Sequence, residues 1–115
     1  MNETLTLKKG EFLLREGDPS TEMYLLTSGH LSILKGIGEE EREIGKIHPN
    51  QLVGELSFLD RGPRSASVLA DTDCTLVRIK RAKFDELLNS QQEWFKKITL
   101  TLVERLRKAN ERIKI

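Results

Sequence analysis

The sequence has one cysteine, two histidines and no long apolar run, and each shortage excludes a class of protein. The single thiol, Cys74, permits no internal disulfide, which suits the cytoplasm. It stands beside Asp73 at a strand start with no histidine next to it, so a packed thiol is the default reading. His30 and His48 lie far apart without the clustered carboxylates of a metal-dependent cupin; they read as surface or strand-end residues, and no metal site or cofactor is expected. No stretch approaches the roughly 20 apolar residues of a membrane span. The opening residues, MNETLTLKKGEF, contain no apolar signal-peptide core. With 19 basic and 18 acidic side chains the net charge is +1, which makes no electrostatic case for nucleic acid, membrane or an acidic substrate. No nucleophile with a base and an orienting group appears, so the chain is not read as an enzyme. It also lacks internal repeats and low-complexity linkers.

What is present reads as one domain over residues 1–115, with 37% apolar and 32% charged side chains. Short apolar-alternating runs dominate as far as about residue 80. They cover Leu5 and Leu7, then Phe12 to Leu14, Met23 to Thr27, Leu31 to Lys35, Glu43 to Ile47, Ser65 to Ala70 and Thr75 to Ile79. Turn residues separate them, such as Gly17-Asp18-Pro19 and Gly36-Ile37-Gly38, and this spacing predicts an antiparallel sandwich or barrel. The acidic run Glu39-Glu40-Glu41 reads as solvated surface on a hairpin tip.

From about residue 81 the period becomes helical. A short helix is predicted over Ala82 to Leu88 and a longer one from about Gln91 to the end. Phe95, Leu102, Leu106, Ala109 and Ile113, with Thr99 in register, form a stripe at spacings of three and four. Such a stripe favours a homodimer through the terminal helix, with a helix packed on its own barrel as the alternative. Basic residues from Arg105 onward are interleaved with Glu104 and Glu111, the composition of a solvated helix rather than a nucleic-acid surface.

One segment carries chemistry: Val53 to Val68, VGELSFLDRGPRSASV. Gly54 lets the backbone come close to a ligand. The amides of Glu55, Leu56 and Ser57 would be free at the start of a short helix, where an anion is favoured. Arg64 offers a planar fork of donors that matches phosphate oxygens. Ser65 and Ala66 are small enough for backbone amides and one hydroxyl to join. Glu55 cannot bind a phosphate but is a good acceptor for sugar hydroxyls.

This segment resembles the phosphate-binding cassette of the cyclic nucleotide-binding domain family. The pattern Phe-Gly-Glu-Leu-Ala-Leu, a turn, then Pro-Arg-small-Ala appears as Val53-Gly54-Glu55-Leu56-Ser57-Phe58, Leu59 to Gly62, and Pro63-Arg64-Ser65-Ala66. Gly10-Glu11, Glu16-Gly17-Asp18, Tyr24-Leu25-Leu26 and Gly29 extend the resemblance upstream. It implies a mainly β fold, an eight-stranded antiparallel jelly-roll-like barrel with a short helix in the cassette and helices at the C-terminal end. It also implies a regulatory module whose ligand is a cyclic nucleotide. Ser65 stands where members that prefer cGMP usually carry Thr, so cAMP is favoured. The base is expected to meet the terminal helix, where the matching positions are Ala109 and Asn110, and Asn110 has both a donor and an acceptor for an adenine edge.

Asn50 replaces a usual Gly and tolerates the same left-handed backbone. Within these 115 residues the family's helical element before the first strand is missing or very short and no output domain is read, which fits either a free-standing module or a piece of a longer chain. A ligand-free relative kept as a homodimerisation scaffold is the alternative reading.

Overall fold

The strands are short because turn residues interrupt the alternation every few positions. In the computed structural model, which describes residues 3–113 and side chains through 109, they are β1 (Glu3–Leu7), β2 (Phe12–Leu14), β3 (Glu22–Ser28), β4 (Leu31–Ile37), β5 (Glu40–Ile47), β6 (Leu52–Val53), β7 (Ser67–Ala70) and β8 (Cys74–Lys80). Helix α1 (Glu55–Asp60) interrupts them between β6 and β7, and α2 (Arg81–Asn89) and α3 (Glu93–Ile113) follow. Two antiparallel four-stranded sheets result, ordered β1-β8-β3-β6 and β2-β7-β4-β5. This is the expected jelly-roll-like architecture. The β6 strand escapes the sequence pattern, since two residues cannot display an alternation.

Every strand sends at least one side chain inward, from Leu7 through Leu14, Leu26, Leu31, Ile47, Val53 and Val68 to Leu76. Leu26 and Leu76 face each other across the β3–β8 pair, and both are fully buried. Burial of each such side chain stabilises the fold by about 1.5–3 kcal/mol. Asn50 has the left-handed φ of 73° that its side chain tolerates, and its amide donates to the Leu26 carbonyl. The acidic run divides: Glu39 sits in the turn, while Glu40 and Glu41 begin β5, all three exposed.

The histidines require a correction. Pairing of Leu31 with Ile47 brings His30 and His48, one residue beyond on each strand, into edge-to-face contact with ring centroids 5.3 Å apart. Among the described residues no group of three or more potential ligands surrounds a metal position. Cys74 is packed, as read. Its sulfur lies so close to the β3–β4 turn that a Cβ at Gly29 would come within 2.7 Å of it.

The outer face of β4 carries a polar knot that the sequence does not announce. Ser32, 2% exposed, places its hydroxyl 2.7 Å from Glu43 and 2.6 Å from Asp71. One hydroxyl proton serves one carboxylate at a time. Lys46 sits over both, 3.1 Å from Glu43 and 2.9 Å from Asp71. The Ser32 hydrogen bond first, and Lys46 second, hold both carboxyls below their ordinary pKa, while Asp71 and then Glu43 raise that of Lys46.

A carboxyl depressed in the folded state stabilises above its unfolded pKa and stops doing so as pH falls through the folded one; a raised lysine stabilises below its unfolded pKa and is lost as pH climbs. The knot should therefore contribute fully between about pH 5 and 10. Thermal melts should find Ser32→Ala less stable than the parent at neutral pH, the two converging near pH ~2 where the carboxyls are protonated. An unchanged gap at that acid limit would remove the knot from the acid transition.

Beyond the sheets, α2 is anchored by Phe84, which packs edge-to-face on Phe58 of α1 at 5.5 Å. The stripe predicted on α3 splits between two surroundings. Thr99, Leu102 and Leu106 line a cleft against the cassette side of the same chain, together with Val103. Leu102 is nonetheless still 59% exposed, and Trp94, Phe95 and Ile98 are exposed as well. Ile113 carries a side chain outside the described residues. No helix among the described residues is long and apolar enough to cross a membrane.

Candidate functional site

Strand β6 turns into α1 through Gly54, whose φ of 73° is left-handed, and the six-residue helix is capped at its end by Arg61, left-handed again at 62°. The Gly62-Pro63 turn then carries the chain to Arg64. Backbone bonds lock this return: the Arg64 amide donates to the Asp18 carbonyl at 2.8 Å, and the Gly17 amide donates to Arg64 at 2.8 Å.

The Arg64 side chain points inward and is only 5% exposed. Nη1 donates to the Gly54 carbonyl at 2.9 Å and to the Ser57 hydroxyl at 3.2 Å, and Nη2 donates to the Glu22 carbonyl. Burial pulls the guanidinium pKa below its ordinary value, with Tyr24 and Glu22 acting the other way; an arginine stays charged in any case. A Cβ on Gly54 would lie 2.5 Å from Nη1. The close approach that Gly54 permits here is therefore that of Arg64, a contact the sequence reading assigned to a ligand.

On the inner side of the roll, Gly54, Glu55, Leu56 and Ser57 close a cavity of about 180 Å³. Its walls are apolar: Leu14, Ile33, Ile47, Val53 and Val68. Arg64, Ser65 and Ala66 are not among the lining residues. Arg64 is tied by hydrogen bonds to two of the lining residues, Gly54 and Ser57. Ser65 is exposed, and its carbonyl accepts from Lys35 at 2.5 Å; Ala66 is half-buried. The Asn110 side chain lies outside the described residues.

A wider cleft of about 450 Å³ opens beside the cavity, between Met23, Leu59 and Phe84 on one side and Thr99, Leu102 and Leu106 of α3 on the other. Leu52 and Glu55 border both spaces. Glu55 is thus the charged group at the junction of a small cavity next to an arginine and a larger apolar slot. That geometry suits a ligand with an anionic end, a hydroxylated middle and a flat apolar end.

Two contributors were missed from sequence. Ser57 was singled out for its amide, yet its buried hydroxyl accepts from Arg64 and lies 3.5 Å from the Gly54 carbonyl. A serine three residues after the glycine that starts a helix is a signal for such a back-bond. Leu52, just before the cassette, carried no signal, because its role comes from the two-residue strand.

Residues 4–91 match the cyclic nucleotide-binding domain family. The chain is 34% identical over 87 residues to a cAMP-dependent protein kinase regulatory subunit of Emericella nidulans, covering 75% of this chain and 20% of that protein. It is 31% identical over 103 residues to the cyclic AMP receptor protein of Thermus thermophilus, covering 89% of this chain and 48% of that one. The chain therefore spans between a fifth and a half of these relatives. Among solved structures, the EAL enzyme Bd1971 in its half-site-occupied form superposes with a TM-score of 0.85 at 24% identity, over 96% of this chain and 99% of that one, a likeness of fold.

Proposed function

The chain belongs to the cyclic nucleotide-binding domain family, and from that membership we propose that it captures cAMP in preference to cGMP and passes the bound state on through α3. The observation that carries this reading is the shared border of cavity and cleft at Leu52 and Glu55. At ~30 Å³ per water, the cavity has room for about six waters, enough for a sugar-phosphate but not for the base as well. The base goes to the apolar cleft, against Leu102 and Leu106. Asn110, one turn beyond Leu106, is the polar group assigned to the adenine edge.

Each cassette residue then has a task. The first-turn amides of Glu55, Leu56 and Ser57 face the phosphate; Ser65 and Ala66, which lie outside the cavity lining, would have to turn toward it to join. Arg64 has five N–H donors, and its contacts to Gly54, Ser57 and Glu22 leave some of them for phosphate oxygens. Charge-assisted bonds of this kind are roughly twice as strong as neutral ones, so a phosphate can also displace a carbonyl. Glu55 accepts from the ribose 2′-hydroxyl. Closure of α3 over the base is the regulatory step. In the cytoplasm, the partner of the exposed Trp94, Phe95 and Ile98 would be the same face of a second copy.

Titration calorimetry with cAMP, cGMP and 2′-deoxy-cAMP tests the reading. Removal of the 2′-hydroxyl should cost about 1.5–3 kcal/mol, or roughly 10- to 150-fold in affinity, because the acceptor is charged. In Glu55→Gln that gap should shrink. Equal binding of the two cAMP forms by the parent would reduce Glu55 to a helix residue. No binding of any nucleotide would favour the alternative, a ligand-free homodimerisation scaffold.

A further inference from the structure

A separate recess of about 290 Å³ lies between the β2–β3 turn, the turn after α1 and the start of α2. Gly17, Thr21, Arg61, Gly62 and Arg81 are among its walls, and it shares no lining residue with the cavity or the apolar cleft. Two guanidinium-bearing residues line it and no carboxylate does. Burial first, and then the Arg61 charge, pull the Arg81 pKa below its ordinary value, with Asp85 acting the other way.

The two arginines are held differently. Arg81 is fixed: Nη2 donates to the carbonyls of Ser20 at 3.0 Å and Phe58 at 2.7 Å, and its guanidinium stacks 4.4 Å from the Phe58 ring centroid. Arg61 is exposed, and among the described residues it has no hydrogen-bond or ion-pair partner. Its backbone is left-handed at the end of α1, a position that glycine fills without strain. Nothing in the packing accounts for an arginine there. What the side chain adds is a second positive charge at the recess.

The same two arginines also border a cavity of about 230 Å³, where Asp85, Glu104 and a third arginine, Arg107, stand with them, Arg107 paired with Glu104 at 3.1 Å. There the cations already have carboxylates beside them, whereas no carboxylate lines the recess. We propose that this recess is a second anion site, selective for a phosphoryl dianion and separate from the cavity lined by Gly54 to Ser57, although Arg61 and Gly62 belong to the same segment. A phosphate monoester carries about −1.5 to −2 charges at neutral pH, which matches two guanidinium groups. A cyclic diester carries one and is offered one, Arg64. At ~30 Å³ per water the recess holds roughly ten water volumes, more than a bare phosphate displaces.

Amide chemical-shift titrations of the whole chain, at fixed ionic strength, test the site with inorganic phosphate and with ribose 5-phosphate. Both should shift Gly17, Thr21 and Gly62, whereas cAMP should shift Gly54 to Ser57. Arg61→Ala should weaken phosphoryl binding at least about tenfold, and Arg61→Gly, which suits the left-handed backbone, should do the same. In both variants the response of Gly54 to Ser57 to cAMP should be unchanged. Tighter binding of ribose 5-phosphate assigns the site to a monoester, and tighter binding of inorganic phosphate to the free ion. The proposal fails if neither probe shifts these amides, if the Arg61 variants bind as the parent does, or if cAMP displaces the phosphate.

Discussion

Arg64→Ala should weaken cyclic nucleotide binding by about 2–5 kcal/mol, roughly 30- to 5,000-fold, the usual cost of truncating one partner of a buried, hydrogen-bonded charge pair. The side chain is 5% exposed, so the ligand phosphate would meet it out of bulk water. The same substitution should also cost stability. It strips donors from the Gly54 and Glu22 carbonyls and the Ser57 hydroxyl, at roughly 1 kcal/mol each. Denaturant unfolding separates the two losses, and calorimetry is then run where the variant is folded. Arg64→Lys keeps the charge but not the fork, and should fall between parent and alanine. A folded alanine variant with parental affinity would remove Arg64 from the phosphate site.

The largest effect on stability should come from Phe58→Ala, about 3–5 kcal/mol, as for other buried aromatic truncations. Phe58 is fully buried, touches Phe84 of α2 edge-to-face and lies beneath Arg81. Through this side chain the cassette helix holds α2. Domains of this size are stable by only about 5–15 kcal/mol, so the loss is a large fraction of the whole. The melting temperature should drop on the order of 10–20 °C. Phe58→Leu, which refills most of the volume, should recover much of it. A drop under ~1 kcal/mol for alanine would mean that the site collapses without a cavity and that α2 is held elsewhere.

Much of this was legible beforehand, for physical reasons that differ by element. Alternation in Met23 to Thr27 and Leu31 to Lys35 located β3 and β4, because one face of each is buried while the other is covered only in part. The cassette helix was legible from the spacing of Gly54, Arg64 and the residues between them. Arg64's partners were not: Glu22 accepts through its carbonyl, which leaves no mark on residue type, from a strand far away in sequence. The histidine contact depends on the register Leu31 to Ile47, which a bulge between Ile33 and Leu34 helps to set. On α3, the spacing identified an apolar stripe but could not say what faces it. That depends on where α1 lies, and α1 takes Thr99, Leu102 and Leu106 toward its own chain.

The sheet order leaves β5 as an outer strand, and three of its first four residues, Glu40, Glu41 and Glu43, are carboxylates. An open strand edge is a template on which another chain can stack and begin a fibril. Here an incoming copy meets exposed charged side chains, Glu40, Glu41 and Arg42, and a bulged ladder, both of which disfavour growth along this edge. The charged start of β5 thereby gives this edge the character of one that resists pairing with another chain.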